Sequence, residues 1–97
     1  MYAQVTRAQL QPGKVDEALA ILRDSVGPAA RKQKGYRNGY LLVDREMNRG
    51  IVISFWEAQT DVTALATSGF YQEQVGKLVP LLAGPPEREV YEVVVGA

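Results

Sequence analysis

The chain of 97 residues contains neither cysteine nor histidine. Without cysteine, no disulfide framework and no thiol nucleophile is available. The missing histidine removes the usual general base at neutral pH, the commonest transition-metal ligand and the commonest haem ligand. An excess of one charge is also lacking, because eleven Lys and Arg balance eleven Asp and Glu. Arg31, Lys32 and Lys34 form the one short basic cluster, which reads as the cationic last turn of a helix. No nucleic-acid partner is therefore expected. No apolar run approaches the ~20 residues that span a bilayer, and Met1 leads into a strand-like run with no signal-peptide pattern. These absences predict no membrane partner and a cytoplasmic protein. Phosphate-loop glycine spacing, H-E-x-x-H and Cys/His clusters are missing too, so the expectation is no metal and no cofactor.

What remains is an ordinary globular composition, 46% hydrophobic and 23% charged. That length and balance fit one domain over residues 1–97 with a modest core. Tyr2 to Leu10 reads as a strand stopped by Gln11-Pro12-Gly13. From Lys14 the period changes, and Val15, Ala18, Leu19, Leu22 and Val26 share one helical face. Gly27-Pro28 predicts a kink or fresh start, and Gly35 the end of that helical region. Tyr36–Asp44 and Gly50–Glu57 read as strands joined by a hairpin around Asn48. Helices follow from about Gln59 to Ser68 and from Phe70 to Val79, broken at Gly69. The second is expected to turn Phe70, Val75, Leu78 and Val79 inward. Glu87–Val95 closes the chain as a strand. This order predicts an α+β, ferredoxin-like βαββαβ plait, an antiparallel sheet with helices on one face.

The strands carry apolar residues on both faces, whereas a sheet covered on one side alternates apolar with polar. The alternation groups Tyr36, Tyr40 and Leu42 against Leu41 and Val43. It also groups Ile51, Ile53 and Phe55 against Val52 and Trp56. Helices can cover only one face. The other would expose several hundred Å², more than a monomer usually shows, so a homodimer is the expected partner.

Chemistry-bearing residues are few. Glu87 and Glu89 share a strand face while Glu92 takes the other, which reads as a solvated strand edge. An aromatic and polar set stands out: Arg7, Tyr36, Asn38, Tyr40, Trp56, Phe70 and Tyr71. Trp56, at the end of a strand, reads as core or as the wall of a cleft for a flat apolar or aromatic ligand.

The segments Gln11-Pro12-Gly13-Lys14, Gln33-Lys34-Gly35-Tyr36-Arg37-Asn38-Gly39, Ile53-Ser54-Phe55-Trp56-Glu57 and Ser68-Gly69-Phe70-Tyr71 resemble the antibiotic biosynthesis monooxygenase-like group of dimeric α/β-barrel proteins. The resemblance covers essentially the whole chain. It implies a homodimeric barrel with a cavity between each sheet and its helices. It further implies a cofactor-independent monooxygenase acting on an aromatic quinol or phenol. In this picture Trp56 and Asn38 are catalytic, and Arg7, Tyr40, Phe70 and Tyr71 bind substrate. The alternative is a non-catalytic ligand-binding or structural dimer module of the same fold. In the family's haem-degrading branch the functional asparagine, tryptophan and histidine fall on Thr6, near Ala64 and on Gln74, so haem degradation is not expected.

Overall fold

The computed structural model describes residues 1–96. Four strands, β1 (Tyr2–Gln9), β2 (Tyr36–Asp44), β3 (Arg49–Trp56) and β4 (Glu87–Glu92), form one sheet in the order β2-β3-β1-β4. Every neighbouring pair is antiparallel. The two crossovers β1-to-β2 and β3-to-β4 interleave, which is the expected split βαβ plait. The last strand is shorter than its valine run. Val93 still donates its N–H to the Met1 carbonyl at 2.9 Å, but Val94 and Val95 are exposed.

The first helical region holds α1 (Val15–Ile21), a π-helical turn (Leu22–Val26) and α2 (Gly27–Arg31). Pro28 has no N–H for the Asp24 carbonyl four residues back. The chain widens before it, and Gly27 N–H bonds to the Leu22 carbonyl, five residues away. The Gly27-Pro28 kink is thus a register change inside a continuous helix. The hairpin between β2 and β3 turns on Asn48 at φ 54°, while the Asp44 carboxylate accepts the N–H groups of Glu46 and Met47.

The second helical region comprises α3 (Gln59–Thr67) and α4 (Phe70–Gly76), then a 3₁₀ turn at Val79–Leu81. The predicted inward position of Val79 is not observed. Pro80 ends the α-helical register, and Val79 lies 55% exposed on the short turn. At the start of α3, Ala58 offers no capping oxygen. Asp61 supplies one instead, its Oδ2 accepting the Ala58 N–H at 3.1 Å. That carboxylate is buried against Gly35, whose φ of +85° and missing Cβ allow the approach.

Helices cover one face of the sheet, and two apolar clusters fill the space between. Leu10, Val15, Ala18 and Leu81 pack with Leu19, Ile21, Leu78 and Leu82 at one end. Trp56, Val62 and Leu65 pack with Tyr2, Tyr36, Phe70 and Tyr71 at the other. The opposite face carries Val5, Ile51, Ile53 and Phe55, with Tyr40, Leu42 and Tyr91 exposed around them.

A bulge overturns one expected grouping. Tyr36 pairs with Trp56, but Asn38 pairs with Phe55, so Arg37 is an extra residue in β2. The insertion shifts the alternation by one. Tyr36 consequently lies on the helix-covered face, edge-on to Trp56 with centroids 5.5 Å apart. Tyr40 and Leu42 point from the other face, where Tyr40 meets Phe55 edge-on at 6.4 Å.

Candidate functional site

The sheet divides the residues singled out in the sequence. Trp56, Phe70 and Tyr71 lie between sheet and helices, whereas Arg7, Asn38 and Tyr40 lie on the open face. Trp56 is 1% exposed, and its indole N–H donates to Ser54 Oγ at 2.9 Å. It builds the wall of the aromatic cluster, with its one polar atom already satisfied. Phe70 and Tyr71 pack against the same cluster from the first turn of α4.

On the open face Asn38 Nδ2 lies 3.4 Å from the Tyr40 hydroxyl, and both residues are exposed. Arg7 bonds Glu89 at 2.7 Å, and Tyr91 donates its hydroxyl to the other Glu89 oxygen at 2.5 Å. The Tyr91 hydroxyl and then the Arg7 guanidinium hold the Glu89 carboxyl below the usual glutamate range. The same bond to Glu89 raises the Tyr91 phenol. A broad concavity of about 550 Å³ lies at one end of this face, among Arg7, Asp44, Arg49, Ile51 and Glu87.

The helix-covered side contains a smaller, apolar cavity of about 50 Å³. Ala8, Leu41, Val43 and Val52 form its floor, and Leu19, Leu22, Val75 and Leu78 its roof. Alternation along β1, β2 and β3 brings the floor residues to one face, while α1 and the π-helical turn supply Leu19 and Leu22 of the roof, and α4 and the residues just after it supply Val75 and Leu78. Leu41 and Val43 are each more than a third exposed, so the β2 side is the accessible edge.

Thr6 is the one residue lining this cavity with a polar side chain. Its Oγ1 sits 3.5 Å from the Tyr71 hydroxyl. Arg88 joins the pair, its guanidinium carbon 5.2 Å from the centre of the Tyr71 ring. Arg88 also donates to Gln4 Oε1 at 2.7 Å and to the Val62 carbonyl at 3.3 Å, which fixes its position from sheet and helix together. Thr6 therefore brings one hydroxyl to the apolar cavity, and behind it stand the Tyr71 hydroxyl and the Arg88 guanidinium, which do not themselves line it. No group of three or more Asp or Glu side chains placed to hold a metal ion forms among the described residues.

Sequence reasoning missed Arg88 and Gln4 and saw Thr6 only through the family comparison. The available signal was a charged Arg88 on the same face as Val90, and Thr6 alternating with Val5. Neither pattern marks a site until register places both opposite Tyr71.

The family model for antibiotic biosynthesis monooxygenase matches residues 1–75. The uncharacterised protein Rv2557 of Mycobacterium tuberculosis is 32% identical over 97 residues, covering 96% of this chain and 41% of the relative. The chain thus spans less than half the length of the curated relatives it matches, and only 24% of another. Among solved structures, Rv0793 from Mycobacterium tuberculosis superimposes with a TM-score of 0.77 at 19% identity, covering 99% of this chain and 97% of that one. A variant of SnoaB, a cofactor-independent oxygenase from Streptomyces nogalater, superimposes with a TM-score of 0.74 at 15% identity, covering 98% and 94%. At these identities the solved structures establish the shared fold. No helix among the described residues is long and apolar enough to cross a membrane.

Proposed function

Because this chain belongs to the antibiotic biosynthesis monooxygenase family, we propose that it oxygenates a small electron-rich aromatic molecule, a phenol or quinol, between its sheet and its helices. The observation that carries this reading is the apolar cavity lined by Thr6, whose hydroxyl meets that of Tyr71, with Arg88 over the Tyr71 ring behind the lining. An apolar cavity that takes up a single benzene ring measures about 150 Å³, more than the 50 Å³ present. Binding therefore requires the leucine-rich roof to move. Leu19, Leu22 and Leu78 are only partly buried, which makes that side the one able to yield.

The chemistry needs no redox partner beyond O2. An anthrone-type substrate loses two hydrogens from its ring CH2 and gains a carbonyl. Its four electrons reduce O2, one atom entering the product and the other leaving as water. The protein's task is to stabilise the substrate anion that starts this transfer. A hydroxyl donor and a nearby guanidinium in a low-dielectric space do so without reorganisation. Trp56 contributes by holding the aromatic wall. Arg7, Asn38 and Tyr40 belong, in this proposal, to a sheet-to-sheet contact with a second copy that covers Ile51, Ile53 and Phe55.

Oxygen uptake with anthrone and naphthohydroquinone tests the reading. One O2 should be consumed per product formed, and Tyr71→Phe or Arg88→Met should each slow uptake about tenfold or more. Uptake no faster than autoxidation would refute turnover. Ligand binding without turnover is the second reading, favoured by the absence of any carboxylate from the cavity lining. Self-association is checked by light scattering. A mass of two 10.7 kDa chains is expected, falling to one in Ile53→Arg. A single-chain mass for the unmodified protein would contradict it.

A further inference from the structure

Arg88 is partly buried on the helix-covered face, and both of its acceptors are uncharged. They are Gln4 Oε1 at 2.7 Å and the Val62 carbonyl at 3.3 Å. Arg88 takes part in no ion pair among the described residues. A cation withdrawn from water is ordinarily paired. Its own strand supplies carboxylates, but alternation turns Glu87 and Glu89 to the open face, where Glu89 bonds Arg7. Glu92 shares the face of Arg88 but stands four residues along β4, opposite Tyr2. Asp61 of α3 is turned to Gly35 and the Ala58 N–H. The titratable group in contact is the Tyr71 phenol, whose ring lies under the guanidinium.

Strand register explains why Gln4 meets Arg88. Arg88 is the cross-strand partner of Thr6, the residue that brings a hydroxyl to the cavity. Gln4 lies two residues before Thr6 on the same face, opposite Val90. A long side chain reaches such a diagonal neighbour. Gln4 is only 9% exposed, so its surroundings restrain the amide. A glutamate of nearly the same shape would make a stronger, charge-assisted bond and cancel the positive charge. The amide holds the guanidinium and leaves the charge intact.

We propose that Gln4 is a positioning residue for Arg88, a neutral acceptor that fixes the guanidinium beside Thr6 with its charge available to an anionic oxygen of the ligand. The assignment rests on the interlayer cavity being the ligand site, and it narrows the ligand to an aromatic molecule that binds as its phenolate. Arg88 acts from behind Thr6 without lining the cavity. A full charge remains effective over such a distance where water is excluded.

Titration with 4-nitrophenol tests the proposal, because the absorbance of its coloured phenolate reports ionisation directly. Near the pH at which the free probe is half ionised, binding to the intact protein should raise the phenolate fraction. The rise should correspond to about tenfold tighter binding of the phenolate than of the phenol. Calorimetry with nitrobenzene is the uncharged control. Gln4→Glu should keep Arg88 in place without lowering Tm, yet remove the rise and leave nitrobenzene binding unchanged. A purely structural role predicts the opposite, since glutamate holds a guanidinium at least as well as glutamine. Gln4→Met, which releases Arg88 Nε, should reduce the rise severalfold. Bound probe with no added phenolate in the intact protein, or a rise undiminished in either variant, would overturn the assignment while leaving the cavity reading in place. Binding of neither probe would overturn the cavity reading and the assignment together.

Discussion

Replacing Gly35 by alanine perturbs a single point at which three elements meet. Gly35 sits at φ +85° after α2, and its carbonyl accepts the Glu57 N–H at 2.8 Å, just beyond the end of β3. A Cβ there would stand 2.0 Å from Asp61 Oδ2 and 2.3 Å from Asp61 Cγ. Two costs add. Holding a non-glycine residue in the left-handed region costs about 1–2 kcal/mol. Displacing Asp61 from the Ala58 N–H removes a helix-capping bond worth about 0.5–2 kcal/mol. The sum is roughly 2–4 kcal/mol, or a drop in Tm on the order of 10–30 °C for a domain of this size. Gly13→Ala is the control, because Gly13 has φ +80° but no atom within 4 Å of its added Cβ. It should show the conformational cost alone. Urea unfolding at one protein concentration measures both, since any self-association makes apparent stability concentration-dependent. Gly35→Ala should also cost less in an Asp61→Ala background, where the two closest contacts vanish. If the two glycine variants agree within about 0.5 kcal/mol, the Asp61 contact is not the constraint.

Truncating Trp56 to alanine should destabilise the fold by about 3–5 kcal/mol, as for a fully buried aromatic, while Asn38→Ala on the exposed face should stay within about 0.5 kcal/mol in the same assay. Val52→Ile adds a methyl group toward the interlayer cavity. It should raise Tm slightly and weaken naphthalene binding, and a lowered Tm would mean the space is already filled. The Glu89 network gives a pH signature. The folded-state pKa of Glu89 is depressed, so its contribution is present above the ordinary value of 4.5 and is lost as pH falls through the folded value. That of Tyr91 is raised, so its contribution is present below the ordinary value of 10.0 and is lost as pH rises through the folded value. Arg7→Gln should therefore lower the denaturation midpoint most within that window and progressively less as pH falls below 4.5, and an effect that does not shrink with acid would exclude the network as its cause.

The candidate site was legible in part, and the reason differs by residue. Trp56, Phe70 and Tyr71 announce themselves as large aromatics near element ends, and they do share one space. Arg7, Asn38 and Tyr40 carry the same sequence signal and lie across the sheet from it. Residue type says that a side chain can bind something, but only register says which side of the sheet it leaves from. Arg88 shows the converse. It stands in a strand-edge run with Glu87 and Glu89 and looks solvated, until the Arg88–Thr6 pairing turns it toward Gln4 and Tyr71.

Composition and periodicity by themselves determined the βαββαβ order of elements, the turns at Gly13, Asn48 and Gly69, and two apolar faces on the strands. Those properties are local, since each depends on residues within a turn or two of one another. The tertiary structure alone decided the parity of β2, where the extra residue Arg37 reverses every side chain beyond it. It alone decided that Val79 turns outward and that Gln74 turns inward with its amide held by Lys77. Such outcomes depend on pairings between segments tens of residues apart, and a period of two or of 3.6 carries no record of them.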